Sequence, residues 1–193
     1  MIMTNKIYSK VGFTLLELIF ILLIASLTLT LGIPKLQGVL IEHRVDNAIY
    51  KISKDIVLSR NYAIQYNTRV TMCHLSTTND CDKDWQNGYS IFSDVNGDQH
   101  YNAAEDTLIL IKNNFPSSDI LIFSGGKALK YGPDGLLNGQ SGTFRYCTNT
   151  SESEYFSRAV VINLTGRPRV SKDLNGDGKD QLNSNSESIS CET

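Results

Sequence analysis

The chain has 193 residues, 18 Lys and Arg against 20 Asp and Glu, and a formal net charge of −2. That balance excludes a protein that works through overall positive charge, so any polyanion site must be a local patch. The length suits one domain plus an anchor. The three histidines, His43, His74 and His100, are scattered. No Ser/His/Asp or Cys/His spacing points to catalysis, and no glycine loop is built to cradle phosphate. The reading is therefore not an enzyme.

The first twelve residues are polar and basic, with Lys6, Lys10 and Gly12. From Phe13 to Ile33 the chain is apolar, with one ionisable residue, Glu17. As a helix these residues would span roughly 30 Å, the thickness of a bilayer core. Lysines before the run hold that end in the cytoplasm, which puts the rest in the periplasm. A carboxylate inside such a helix is costly and needs a partner. Pro34 follows Gly32 and removes a backbone donor, so a kink is expected there. Leu36–Asn67 continues with apolar residues three to four apart, Leu36, Val39, Leu40, Ala48, Ile49, Ile52, Ile56 and Ala63. That spacing predicts an amphipathic helix.

From Arg69 the pattern turns to short β-like runs between Gly, Asn, Asp, Ser and Pro. Strands are expected at Arg69–His74, Tyr89–Ser93, Thr107–Lys112, Ile120–Ser124, Gly142–Cys147 and Ser157–Leu164. A last short strand includes Arg169–Val170. The polar stretch from Asp173 reads as a loop or partly disordered tail. Four cysteines behind a membrane-targeting segment suggest two disulfides. They permit three pairings; the favoured one is Cys73–Cys81, a short local loop, with Cys147–Cys191 tying down the tail.

Two loops carry acidic residues at calcium-type spacing. Asp94, Asn96, Asp98, His100, Asn102 and Glu105 fall at positions 1, 3, 5, 7, 9 and 12, but Gln99 stands where glycine is expected. Asp173, Asn175 and Asp177 have that glycine, Gly178, but Ser184 at position 12. Asx-type turns explain both without metal, so no cofactor is assigned and calcium is kept as a weak candidate. In T-G-R-P-R, Gly166 permits a tight turn, and Arg167 and Arg169 straddle a stiffening proline. Residues two apart in an extended segment point the same way, and paired guanidiniums suit phosphate oxygens. Arg145, Arg158, Lys172, Lys127 and Lys130 are candidates to extend the patch.

The N-terminal stretch resembles the class III signal of type IV pilins and type II secretion pseudopilins. In that signal the cut follows a glycine, Phe becomes the first residue, Glu is fifth and Pro twenty-second. Gly12, Phe13, Glu17 and Pro34 match every spacing. The resemblance implies a leader of residues 1–12, removed by prepilin peptidase. It implies N-methylation of Phe13, and pairing of Glu17 with the new amine of a neighbouring subunit. The soluble part resembles the FimT/GspH family of minor pilins and pseudopilins through Ile56–Ile64, Trp85–Gly88, the D-x-N-G-D turn, Tyr131–Gly135, Gly142–Cys147 and Val160–Arg169. The implied fold is α+β, a long N-terminal helix packed on an antiparallel β-sheet domain.

The expected divisions are a leader at 1–12, a membrane and filament-core helix at 13–34, its amphipathic continuation at 35–67 and a periplasmic β-rich domain at 68–193. The mature chain would sit in the inner membrane as a single-pass protein and then join a pilus with other pilins. A G-R-x-R loop in this place resembles the DNA-binding loop of FimT-type pilins in natural transformation, implying double-stranded DNA as a partner. The rival readings are a type II secretion pseudopilin acting only through protein contacts, and a calcium-stabilised structural subunit.

Overall fold

The computed structural model describes residues 12–150 and 153–191, apart from the side chains of residues 31–35. The expected leader thus lies outside the described residues, except for Gly12. Two compact units are present, one ending at Ile41 and the other running from Glu42.

In the first unit, Gly12, Phe13 and Thr14 precede the start of helix α1, Leu15–Tyr66. Thr14 caps it: its hydroxyl accepts the Glu17 backbone N–H at 3.2 Å. The T-x-x-E spacing is that of a capping box, and Glu17 sits in the first turn, where the helix dipole favours a negative charge. Ser26, Thr28 and Thr30 return their hydroxyls to carbonyls three or four residues back, so these polar groups are satisfied within the helix. The helix continues through Pro34; the expected kink falls among residues whose side chains lie outside the description. Among the described residues, no helix is long and apolar enough to cross a membrane. The last three residues of the Phe13–Ile33 run lie in that excluded stretch.

In the second unit, α1 buries Val45, Ile49, Ile52, Ile56, Ser59 and Ala63, a stripe at helical spacing. Strands β1 (Val70–Leu75), β2 (Cys81–Asp82), β3 (Tyr89–Ser93), β4 (Leu108–Lys112) and β6 (Leu129–Tyr131) form one antiparallel sheet. Strands β5 (Asp119–Phe123), β7 (Gly142–Thr148), β8 (Arg158–Ile162) and β9 (Pro168–Val170) form a second, in the order β5-β7-β8-β9. The result is the expected helix on antiparallel sheet. The predicted strands appear within one or two residues of their expected ends; β2 and β6, at two and three residues, were too short to show a period.

Aromatic side chains join the two sheets: Phe115 meets Tyr89 of β3 and Tyr146 of β7, at centroid distances of 6.2 and 5.6 Å. Trp85 meets Phe123 and Phe144 edge-on, at centroid distances of 5.2 and 4.9 Å, and those two rings stack at 4.2 Å. Gln86 then behaves as a piece of strand: its amide nitrogen donates to the Asp119 carbonyl and its oxygen accepts from the Leu121 N–H. This satisfies part of the free edge of β5. Gly88 ends the turn at φ +97°, where a Cβ would lie 2.1 Å from the Lys112 carbonyl oxygen. The W-Q-N-G run is thereby explained by packing alone. Cys73–Cys81 and Cys147–Cys191 are disulfides.

A buried carboxyl lies under this core. Asp55, on α1, accepts the Tyr89 hydroxyl at 2.7 Å. Burial raises the Asp55 pKa above its ordinary 3.8; the Tyr89 hydrogen bond opposes that rise less strongly. The folded state therefore keeps this proton to higher pH than the unfolded chain does. Its contribution is fully present below the ordinary value and is lost as pH rises through the raised one. Asp55→Asn, which keeps an acceptor for Tyr89, is expected to gain on the wild type as pH rises. Thermal melts from pH 3.5 to 7 check this; a difference constant with pH would count against it.

Candidate polyanion-binding site

The T-G-R-P-R turn leaves β8 and enters β9; two bonds hold it against the Y-G-P-D-G run, and a third ties that run to α1. The Tyr131 hydroxyl donates to the Gly166 carbonyl at 2.9 Å. Arg60, on α1, donates from Nε to the Gly135 carbonyl at 2.9 Å. The Leu137 N–H bonds the Leu164 carbonyl at 3.2 Å. Burial pushes the Tyr131 phenol well above its usual pKa, so it stays a donor. The Y-G-P-D-G run, an otherwise plain turn, is thus the floor on which the arginine loop rests. Arg60, Tyr131 and Gly135 were not read as site residues; the signal available was that both turns belong to one ordered set of motifs.

Gly166 has φ +75°, and a Cβ there would stand 2.5 Å from the Gly135 carbonyl oxygen and 2.7 Å from the Tyr131 ring. Gly166→Ala is expected to cost about 1–3 kcal/mol through backbone strain, before the clash is counted. Chemical denaturation checks this, and a loss under 0.5 kcal/mol would contradict it.

Arg167 is exposed and makes no hydrogen bond or ion pair among the described residues. Arg169, also exposed, lies on β9 opposite Val161. Its Nη2 donates to the Leu182 carbonyl at 2.5 Å. Arg145 lies on β7 opposite Ala159, on the same sheet face as Arg169, because opposed residues share a face and strands alternate. It is half-buried, and its guanidinium makes no hydrogen bond or ion pair among the described residues. The Lys172 side chain is exposed, as is Lys127; Lys130 is half-buried.

Arg158 must be removed from the patch. It pairs with Tyr146 in register and shares the buried parity of Val160 and Ile162. Its guanidinium meets Asp46 at 2.9 Å, Glu42 at 3.5 Å and Asp180 at 3.7 Å, and its side chain is only 12% exposed. It is a structural ion centre facing α1, not a surface contact.

The two acidic loops are closed on themselves. Asp94 is fully buried and accepts the Thr71 hydroxyl and the Gly97 and Gln99 N–H groups. Asp98 accepts the His100 N–H and the Asn96 amide. Asp173 accepts the N–H groups of Asn175, Gly176 and Gly178; the Gly178 bond leads in holding its carboxyl below the usual range. Among the described residues no group of three or more His, Cys, Asp and Glu is placed to hold a metal ion. Glu105 adds no carboxylate bond to the first loop; its backbone N–H bonds the Asn102 carbonyl.

A helix laid on antiparallel sheets, with a pilin-type N-terminal run, defines the pilin class of fold. The family model for type II transport protein GspH matches residues 48–166, and the chain belongs to that family. The fold is similar to the type IV minor pilin FimU of Pseudomonas aeruginosa in two crystal forms. One matches at 15% identity and a TM-score of 0.53, over 72% of this chain and 94% of that one. The other matches at 16% identity and 0.50, over 71% and 97%. No curated protein matches the sequence significantly.

Proposed function

We propose that the chain is a minor type IV pilin that captures double-stranded DNA in natural transformation. Prepilin peptidase cuts between Gly12 and Phe13, Phe13 is N-methylated, and residues 13–34 hold the chain in the inner membrane with its β-rich part in the periplasm. Glu17 then pairs with a neighbouring subunit's amine during assembly into the pilus. DNA phosphates meet Arg167 and Arg169. The observation that carries this is the exposed Arg167, its guanidinium unpartnered among the described residues, on a turn held by Tyr131 at Gly166 and by Leu137 at Leu164. A turn already held in place loses little backbone entropy when its arginine meets a phosphate.

Fluorescence anisotropy of the detergent-solubilised chain with a labelled duplex tests the reading. Binding is expected to fall with salt and to be nearly independent of sequence. Removing both arginines should lower the slope of log K against log salt by about 2. No salt-sensitive binding, or binding indifferent to both substitutions, would leave the pseudopilin reading, which the GspH match favours.

A further inference from the structure

The outer face of the second sheet carries Arg145 and Arg169, and the C-terminal segment lies across it. Three observations join there. The Leu182 carbonyl takes Nη2 of Arg169, an N–H that a phosphate oxygen would otherwise accept. Arg145 lines a cavity whose other walls include Leu182, Glu187 and Ile189, all from the tail. Ile189 packs into a buried cluster with Cys147 and Ala159, and Cys191 is bonded to Cys147, two residues along β7 from Arg145. The covering segment is acidic: residues 171–191 hold four carboxylates and two lysines. One of those lysines, Lys179, pairs with Glu154 outside the segment.

We infer that residues 173–191 are an autoinhibitory strap that competes with polyanions for Arg169 and narrows the approach to Arg145, with the Cys147–Cys191 bond as its latch. The inference rests on the polyanion reading of this face. Arg167, before β9 and outside the strap's contacts, stays available for first encounter. Full engagement of the face requires the Leu182 contact to give way. An anionic ligand thus meets one accessible arginine and two guarded ones, which keeps each subunit's affinity low.

The test measures binding of the full chain, in detergent at fixed low salt, to heparin as a purely anionic probe and to a 30-base-pair duplex. Cys147→Ser with Cys191→Ser opens the latch; Glu187→Gln removes the carboxylate that shares the cavity with Arg145, with the latch intact. Heparin affinity is expected to rise about three- to tenfold in the first, as a charge-assisted contact is freed. About twofold is expected in the second. Both gains should vanish when Arg145→Ala and Arg169→Ala are added. Unchanged or weaker heparin binding in the opened, folded variant overturns the strap, as does a gain that survives loss of the two arginines. If circular dichroism shows that the double serine variant is unfolded, Glu187→Gln decides by the same criteria. A gain on heparin without duplex binding removes the nucleic-acid reading and leaves the strap standing.

Discussion

Arg158→Ala is expected to destabilise the 42–193 unit by about 3–5 kcal/mol, the range for breaking a buried ion pair from one side. The guanidinium stands among Asp46, Glu42 and Asp180, of which Asp180 is 11% exposed at its side chain. Without it, three carboxylates face one another across the joint between α1, β8 and the tail. Asp180 would keep the Ser171 hydroxyl at 2.6 Å but lose its counter-charge. The carbonyls of Tyr155 and Ser157, which now accept from Nη1, would also lose their donor. Arg158→Lys should recover only part of the loss, since an ammonium cannot reproduce the planar fork. Urea denaturation of the three proteins checks this. A loss below 1 kcal/mol for Arg158→Ala would show that water replaces the guanidinium. The same substitution should not lower the polyanion salt slope in whatever fraction remains folded, which separates it from Arg167→Ala.

Loss of the Cys147–Cys191 bridge is expected to cost about 4 kcal/mol on the chain-entropy model. The bond spans 44 residues, so it removes much freedom from the unfolded chain. Cys73–Cys81 spans only 8 residues, and its loss should cost about 2.5 kcal/mol. For a unit of this size the longer bridge corresponds to a fall of the order of 10 °C in Tm. Its removal should also release Ile189 from its cluster with Cys147 and Ala159. Scanning calorimetry of the two double serine variants checks the ranking. Equal losses, or a larger loss for the short bridge, would show that native packing of the tail outweighs loop entropy.

Much of the architecture was legible because it rests on period. The apolar spacing that runs through Ile49, Ile52, Ile56 and Ala63 is a property of helical geometry, and those residues are buried as expected. Leu36, Val39 and Leu40 have the same spacing, yet they are exposed. Spacing says which residues share a face, not what covers it. The strands at Tyr89–Ser93 and Gly142–Thr148 were legible for the same reason as the helix. Beyond pattern, Trp85–Gly88 could be recognised as a motif, but its work as a surrogate edge for β5 needed Asp119 and Leu121 brought alongside.

The arginines show the limit more sharply. On paper Arg167 and Arg169 stand out by their place in the G-R-P-R turn, while Arg145 and Arg158 are unranked additions to the patch. Parity along β8 already placed Arg158 with Val160 and Ile162, and that signal was available but not used. Its three carboxylates could not have been named, since Glu42 and Asp46 lie more than a hundred residues away and Asp180 lies in an irregular tail.

By itself the sequence determined the helix, the positions of the longer strands and the turns at D-x-N-G-D. All of these follow from interactions a few residues long. Only the tertiary structure decided which arginine is neutralised, which is guarded by the tail and which stays open to solvent. A side chain's charge is set by its type, but its availability depends on whatever the fold lays against it. For Arg158 that is α1, for Arg169 it is Leu182, and for Arg167 it is solvent.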